Sequence, residues 1–203
     1  MRRNARSGRA LAHEVRILGG QWKRTPLPVL DRPGLRPTPS RVRETLFNWL
    51  GQDLSGWRCV DAFAGSGALG FEAASRGAAE VVLLERDARL VRELQAARER
   101  LKADALRVEA ADAIAWMKRC EAGRFDLVFI DPPFDGALFG EALAASARLV
   151  VAQGFVYLES PQVFSEASLS ELGLAVHRHA RAGQVHAQLL RSTTTGAGAD
   201  AAA

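Results

Sequence analysis

Cysteine, tyrosine and histidine are scarce in this chain: two, one and four residues in 203. Cys59 and Cys120 form no Cys-x-x-Cys pair, which excludes a disulfide framework and a zinc ribbon and suits a reducing cytosol. No Cys/His grouping has metal-ligand spacing, so no metal is expected. Long apolar runs are missing too. None approaches the ~18 residues that a membrane span needs. The basic opening MRRNARSGRALAHEVR has no apolar segment behind it and does not read as a secretory signal. The expected compartment is the cytoplasm, with no membrane partner. Acid is scarce in the first fifty residues, where Glu14, Asp31 and Glu44 face eleven Lys/Arg for a net of +8. The remainder carries sixteen Lys/Arg against twenty acids, a net of −4, giving +4 for the whole chain. A basic arm on an acidic body points to a polyanion partner.

The arm opens with Val15-Arg16-Ile17-Leu18, Gly19-Gly20 and Gln21-Trp22-Lys23-Arg24, a pattern that predicts a short β-hairpin turning at the glycines. Four prolines between residues 28 and 39 predict a loop. Thr38 is placed to cap a helix with Pro39 at its first position, running to about Leu50. Beyond it, apolar runs at 57–62, 80–84, 105–109, 125–130 and 154–158 alternate with helical stretches at 67–76, 87–102, 111–121 and 137–149. Such alternation predicts an α/β fold with a mostly parallel sheet. Gly173–Ala180 and Gln184–Arg191 flank Arg181-Ala182-Gly183 as a hairpin, so the sheet should end in an antiparallel strand. The expected division is a disordered basic tail over 1–13, an RNA-binding hairpin and loop over 14–38, a catalytic domain over 39–191 and a disordered tail over 192–203.

Asp61-Ala62-Phe63-Ala64-Gly65-Ser66-Gly67-Ala68-Leu69-Gly70 follows the first long strand and opens a helix. Glycines at that junction let a ligand approach the backbone and the free N–H groups of the helix. Glu85 ends the next strand, where a carboxylate can hold ribose hydroxyls. A nicotinamide enzyme shares these features. Asp61 argues instead for S-adenosylmethionine, because it faces a cationic methionine end well and a pyrophosphate badly. Asp112 follows the third strand, where it can accept from an adenine amine or simply be a solvated loop acid. Phe63, Ala64, Gly65, Ser66, Gly67, Arg86 and Ala113 complete the expected cofactor pocket, with Asp131 at its border.

The run Phe125-Asp126-Leu127-Val128-Phe129-Ile130 ends abruptly in Asp131-Pro132-Pro133-Phe134. Proline holds its predecessor extended and removes a ladder donor. The Asp131 carboxylate and the Pro132 carbonyl therefore form a stiff pair of acceptors. An exocyclic amine of a base is a poor nucleophile, and two acceptors on its hydrogens orient the lone pair and stabilise the positive charge that develops. Phe134 can stack on the extruded base. A dehydrogenase has no evident use for such a motif, whereas an amine methyltransferase does.

The Asp-Pro-Pro-Phe motif with the DxFAGSG loop resembles Rossmann-fold N-methyltransferases of nucleic-acid bases. Ile17-Leu18-Gly19-Gly20-Gln21-Trp22-Lys23, Leu35-Arg36-Pro37-Thr38 and Arg41-Val42-Arg43-Glu44-Thr45-Leu46-Phe47-Asn48-Trp49-Leu50 narrow this. They are similar to the RsmD-type 16S ribosomal RNA (guanine-N2)-methyltransferases, over about residues 14–191. The resemblance implies a Rossmann-like class I methyltransferase fold with a seven-stranded sheet and a small N-terminal hairpin. It implies a cytoplasmic, S-adenosylmethionine-dependent enzyme that methylates one guanine of 16S rRNA in a partly assembled small subunit; a monomer is expected. Asp131, Pro132, Pro133 and Phe134 are the expected catalytic residues, and Arg16, Trp22, Lys23, Arg24, Arg36, Arg41 and Arg43 the expected RNA contacts. The rivals are a DNA adenine or cytosine-N4 methyltransferase and a non-catalytic RNA-binding assembly factor.

Overall fold

The computed structural model describes residues 13–29, 39–132 and 138–194. Residues 1–12 and 195–203 of the expected tails, the loop at 30–38 with Thr38 and Arg36, and the residues Pro133 and Phe134 lie outside the described residues. His13 and Ser192, expected in the tails over 1–13 and 192–203, belong to strands. Seven strands form the main sheet: β3 (Arg58–Asp61), β4 (Glu80–Glu85), β5 (Leu106–Ala110), β6 (Phe125–Ile130), β7 (Val150–Ser160), β8 (Leu174–Ala182) and β9 (Val185–Ser192). Their order is β5-β4-β3-β6-β7-β9-β8. The pairings from β5 to β7 are parallel, and β9 runs antiparallel to both β7 and β8. The mostly parallel sheet with an antiparallel last strand agrees with the sequence. Strand order reverses between β3 and β6, so the ligand crevice belongs beyond their carboxyl ends.

Helices α1 (Ser40–Trp49), α2 (Ala68–Ser75) and α3 (Ala88–Leu101) cover one face, and α4 (Ala113–Arg119), α5 (Leu138–Leu149) and α6 (Glu166–Glu171) the other. Being covered on both faces is why β6 is apolar from Leu127 to Ile130, with only Asp126 polar near its start. Leu127 and Phe129 enter the core under α1 and α2, while Val128 and Ile130 enter the one under α5. Helix α2 is fully buried, and a Cβ at Gly70 would stand 2.1 Å from Leu83 Cδ2 on β4. Glycine there lets the helix lie directly on the sheet.

Four local readings change. The N-terminal hairpin pairs β1 (His13–Arg16) with β2 (Pro26–Val29), and residues 17–25 form its loop rather than a two-residue glycine turn. The reason is tertiary: Gly20, at φ 73, would place a Cβ 1.8 Å from the Ser75 carbonyl oxygen. The glycines permit contact with α2 instead of making a tight turn. Helix α1 starts one residue late, with Pro39 in the capping place and no side-chain cap. β7 begins directly after α5, with a register irregularity between Phe125 and Leu127 of its partner β6. Short helix α6 went unread, although Ser165 caps it by accepting from the Ser168 N–H and Leu169 anchors it in the core.

Candidate active site

Parallel register brings the carboxyl ends of four strands together. Asp61 pairs with Leu83 on β4 and Phe129 on β6, and Phe129 pairs with Tyr157 on β7. Side chains alternate along a strand. Glu85, Asp131 and Glu159 therefore share one row near the carboxyl edge, and Asp61 lies on the same face two residues earlier, at the end of β3. Three of these acids were read from the sequence. Glu159 was not, although it closes an apolar run in the same manner as Glu85 and Asp131.

The acids organise the glycine loop. Asp61, only 2 % exposed, accepts from the Gly70 N–H at 3.0 Å, inside the first turn of α2. Glu85 accepts from the Gly65 N–H at 3.0 Å and from the Asp87 N–H at 2.8 Å. Two backbone donors that a pyrophosphate would require are thus taken by carboxylates. Burial pushes the Asp61 carboxyl up to about 7, against the stabilising Gly70 hydrogen bond and with the Glu85 charge adding to the rise. A cation brought beside Asp61 reverses that rise. This acceptor set suits a ligand with an ammonium and hydroxyls, and it repels an anionic one.

Phe63, Gly65 and Ser66 are half-buried along the loop, Ala64 and Gly67 are buried, and Arg86 is exposed after β4. Asp112 is exposed and caps α4 by accepting from the Ala115 N–H at 2.8 Å, with Ala113 buried behind it. Across the crevice, Asp131 is half-buried and Pro132 buried. Beneath them the Tyr157 hydroxyl donates to Glu159 at 2.8 Å, and the Tyr157 ring meets Phe129 edge-on at 6.3 Å. Burial, then the charges of Glu159 and Asp131, hold the Tyr157 hydroxyl well above its ordinary value. It stays a neutral donor.

The expected RNA contacts divide. Arg43 is a correction: it is 2 % exposed, pairs with Glu72 and donates to the Arg16 carbonyl at 3.0 Å. It lies on the apolar side of α1 because Glu72, wholly buried on α2, needs cations. Glu72 also takes Arg76 at 2.7 Å and the N–H groups of Leu18 and Gly19 at 2.7 and 2.8 Å. Trp22 is half-buried and packs against the core. Arg16, Lys23, Arg24 and Arg41 are exposed. Lys23 and Arg24 sit on a loop tied by the Gln21 and Trp22 N–H groups to Ser75. Ser75 ends α2, ~10 Å along its axis from the glycine loop. Among the described residues there is no His/Cys/Asp/Glu group able to hold a metal ion and no helix able to cross a membrane.

Residues 15–191 match the family described as conserved hypothetical protein 95. The ribosomal RNA small subunit methyltransferase D of Escherichia coli K12 is 40% identical over 185 residues, spanning 90% of this chain and 92% of that protein. The enzyme of the same name from Haemophilus influenzae is 43% identical over 134 residues, 64% of this chain and 69% of its own. The solved yhhF protein of Escherichia coli superposes with a TM-score of 0.75 at 36% identity, covering 89% of this chain and 98% of that one.

Proposed function

The chain belongs to the conserved hypothetical protein 95 family, which includes the small-subunit ribosomal RNA methyltransferases D, and from that premise we propose its substrate and the work of each residue. The protein is an enzyme that methylates ribosomal RNA of the small subunit. The methyl donor is S-adenosylmethionine and the acceptor is the N2 amine of one guanine in 16S rRNA, met in a partly assembled small subunit. The observation that supports this reading best is the use of loop N–H groups by Asp61 and Glu85, which favours a cationic ligand over a dinucleotide.

S-adenosylmethionine supplies an electrophilic methyl group when bound. Asp61 offers its carboxylate to the ammonium end. Each Glu85 oxygen accepts one N–H and keeps a second lone pair, which takes a ribose hydroxyl. Asp112 keeps a carboxylate oxygen for the adenine amine, while Phe63, Ala64, Ser66, Arg86 and Ala113 line the pocket. On the acceptor side, the Asp131 carboxylate and the Pro132 carbonyl hold the two amine hydrogens, and Phe134 stacks on the guanine. Asp131 also stabilises the positive charge that grows on nitrogen as the new C–N bond forms. Arg16, Lys23, Arg24, Arg36 and Arg41 meet phosphates, with Trp22 between them. The chain works as a monomer in the cytoplasm.

Mass-spectrometric mapping of 16S rRNA from a strain lacking the protein tests the reading. Loss of a single N2-methylguanosine, restored by the purified protein with S-adenosylmethionine, is expected. An unchanged modification pattern would overturn it.

A further inference from the structure

The body of the protein is acidic, yet from Leu174 to Ser192 the chain has three arginines, three histidines and no acid. This stretch is the β8–β9 hairpin, with β8 at the outer edge of the sheet. Arg178 and Arg181 are exposed, and each donates to a carbonyl of its own hairpin, at His177 and Gly183 respectively. Neither is paired with an acid among the described residues. By contrast, Arg58, Arg76, Arg107 and Arg124 all have carboxylate partners. The His179 and His186 rings stack with centroids 5.2 Å apart, joined Nε2 to Nδ1 at 2.9 Å. Strand alternation puts His179, Arg181 and the cross-strand His186 on one face of the hairpin, with Arg178 on the other face of the same edge strand.

Register fixes where that tip stands. Ser160, at the carboxyl end of β7, pairs with His186, and His186 pairs with Arg181. Leu158 pairs with Ile130, the residue before Asp131. The cations thus stand on the edge that carries Asp131 and Pro132, three strand spacings away, about 14 Å at ~4.8 Å each. Lys23 and Arg24 are tied to the opposite end of α2. We propose that the β8–β9 hairpin is an RNA-docking surface, with Arg178, Arg181 and the His179–His186 pair holding phosphates that flank the reacting base. This rests on the assignment of small-subunit ribosomal RNA as substrate and adds the side from which the strand reaches the site. Cations on an edge strand also discourage aggregation, but that role alone predicts no effect on RNA affinity.

The test compares the full-length parent, Arg178→Gln with Arg181→Gln, and Arg191→Gln. Arg191 lies over the Phe155 ring towards the other end of β7 and serves as the charge control. Each protein is assayed for affinity to small-subunit RNA against salt, for KM and kcat on small subunits, for S-adenosylhomocysteine affinity and for Tm. In the double variant the slope of log K against log salt should fall by roughly one to two. KM should rise about tenfold with kcat, S-adenosylhomocysteine affinity and Tm unchanged, each tenfold in affinity being ~1.4 kcal/mol. Arg191→Gln should behave as the parent. An active parent whose double variant has the same slope and KM overturns the hairpin site alone, as does an equal loss in Arg191→Gln. Weakened binding to intact particles with unchanged binding to naked RNA assigns the hairpin to a protein partner and overturns it too. A parent that methylates no small-subunit RNA overturns the underlying substrate assignment and this proposal with it.

Discussion

The Arg43 guanidinium meets Glu72 Oε2 at 3.4 Å, with both side chains shut away from water. That contact joins α1 to α2, and through the Arg16 carbonyl and the Leu18 and Gly19 N–H groups it also joins the N-terminal hairpin. Burial lowers the Arg43 pKa, while the charges of Glu72 and Glu159 work to keep it protonated. Truncating one partner of a buried pair leaves an uncompensated charge, at ~3–5 kcal/mol. Arg43→Ala should therefore lower the denaturation midpoint sharply while leaving the salt slope of RNA binding at the parent value. A stable variant with a reduced slope would return Arg43 to the RNA interface.

Asp131→Ala removes one of the two proposed amine acceptors. Methyl transfer should fall at least ~10²-fold, as for the loss of one preorganised polar group in a transition state. Calorimetric affinity for S-adenosylhomocysteine should stay within a few-fold. Near-normal turnover would show that Asp131 does not hold the amine.

Glu85→Ala should weaken S-adenosylhomocysteine by ~1.5–3 kcal/mol, the scale of hydrogen bonds to a charged group. It also releases the Gly65 and Asp87 N–H groups, so Glu85→Gln separates the two roles. Each amide atom can serve only part of what two carboxylate oxygens serve. Parent-like titrations for both variants would leave Glu85 as a loop brace only.

Asp61 gives the enzyme a pH signature. Its folded pKa of about 7 lies above its unfolded value near 3.8, so the protonated form favours the folded state. That contribution is fully present below pH 3.8 and is lost as pH rises through 7. Between those limits the parent should lose up to ~1.4 kcal/mol per pH unit relative to Asp61→Asn. Affinity for the cationic cofactor should move the other way and improve as Asp61 ionises. Urea melts of both proteins at pH 5 and pH 8 measure the first trend, and equal pH dependence would refute it.

Much of the carboxyl edge was legible because strand ends announce themselves. An apolar run that stops at an acid marks the carboxyl edge, and Asp61, Glu85 and Asp131 were found that way. Glu159 has the same signal after the run at 154–158, but unlike Asp61 and Asp131 it has no glycine loop or Pro-Pro motif beside it to mark it out. Arg43 was misplaced because α1 carries cations on both sides of its apolar stripe. Only the partner helix, with Glu72 buried inside it, tells which cation turns inward. The glycine pair at 19 and 20 misled for a similar reason. A glycine needed for close approach to Ser75 looks in sequence like one needed for a turn. Helix periods survived well because α3 and α5 are long and amphipathic. Six-residue α6 offers too few turns to show one.

The pairing of β3 with β6 has a consequence for how the enzyme comes into being. The Arg58 N–H donates to Asp126 Oδ2 across 68 residues of sequence, and Cys59 lies beside Leu127. The proposed cofactor half of the crevice is built from β3, β4 and β5, which a growing chain completes first. Its wall of Asp131 and Pro132 arrives only when β6 has left the ribosome and slid in beside β3. Loop closure over that span makes this a late, slow contact. On the proposed assignment, a nascent chain gains a partial cofactor pocket before it gains any means of using it, and methylation would start only once the central strand is seated.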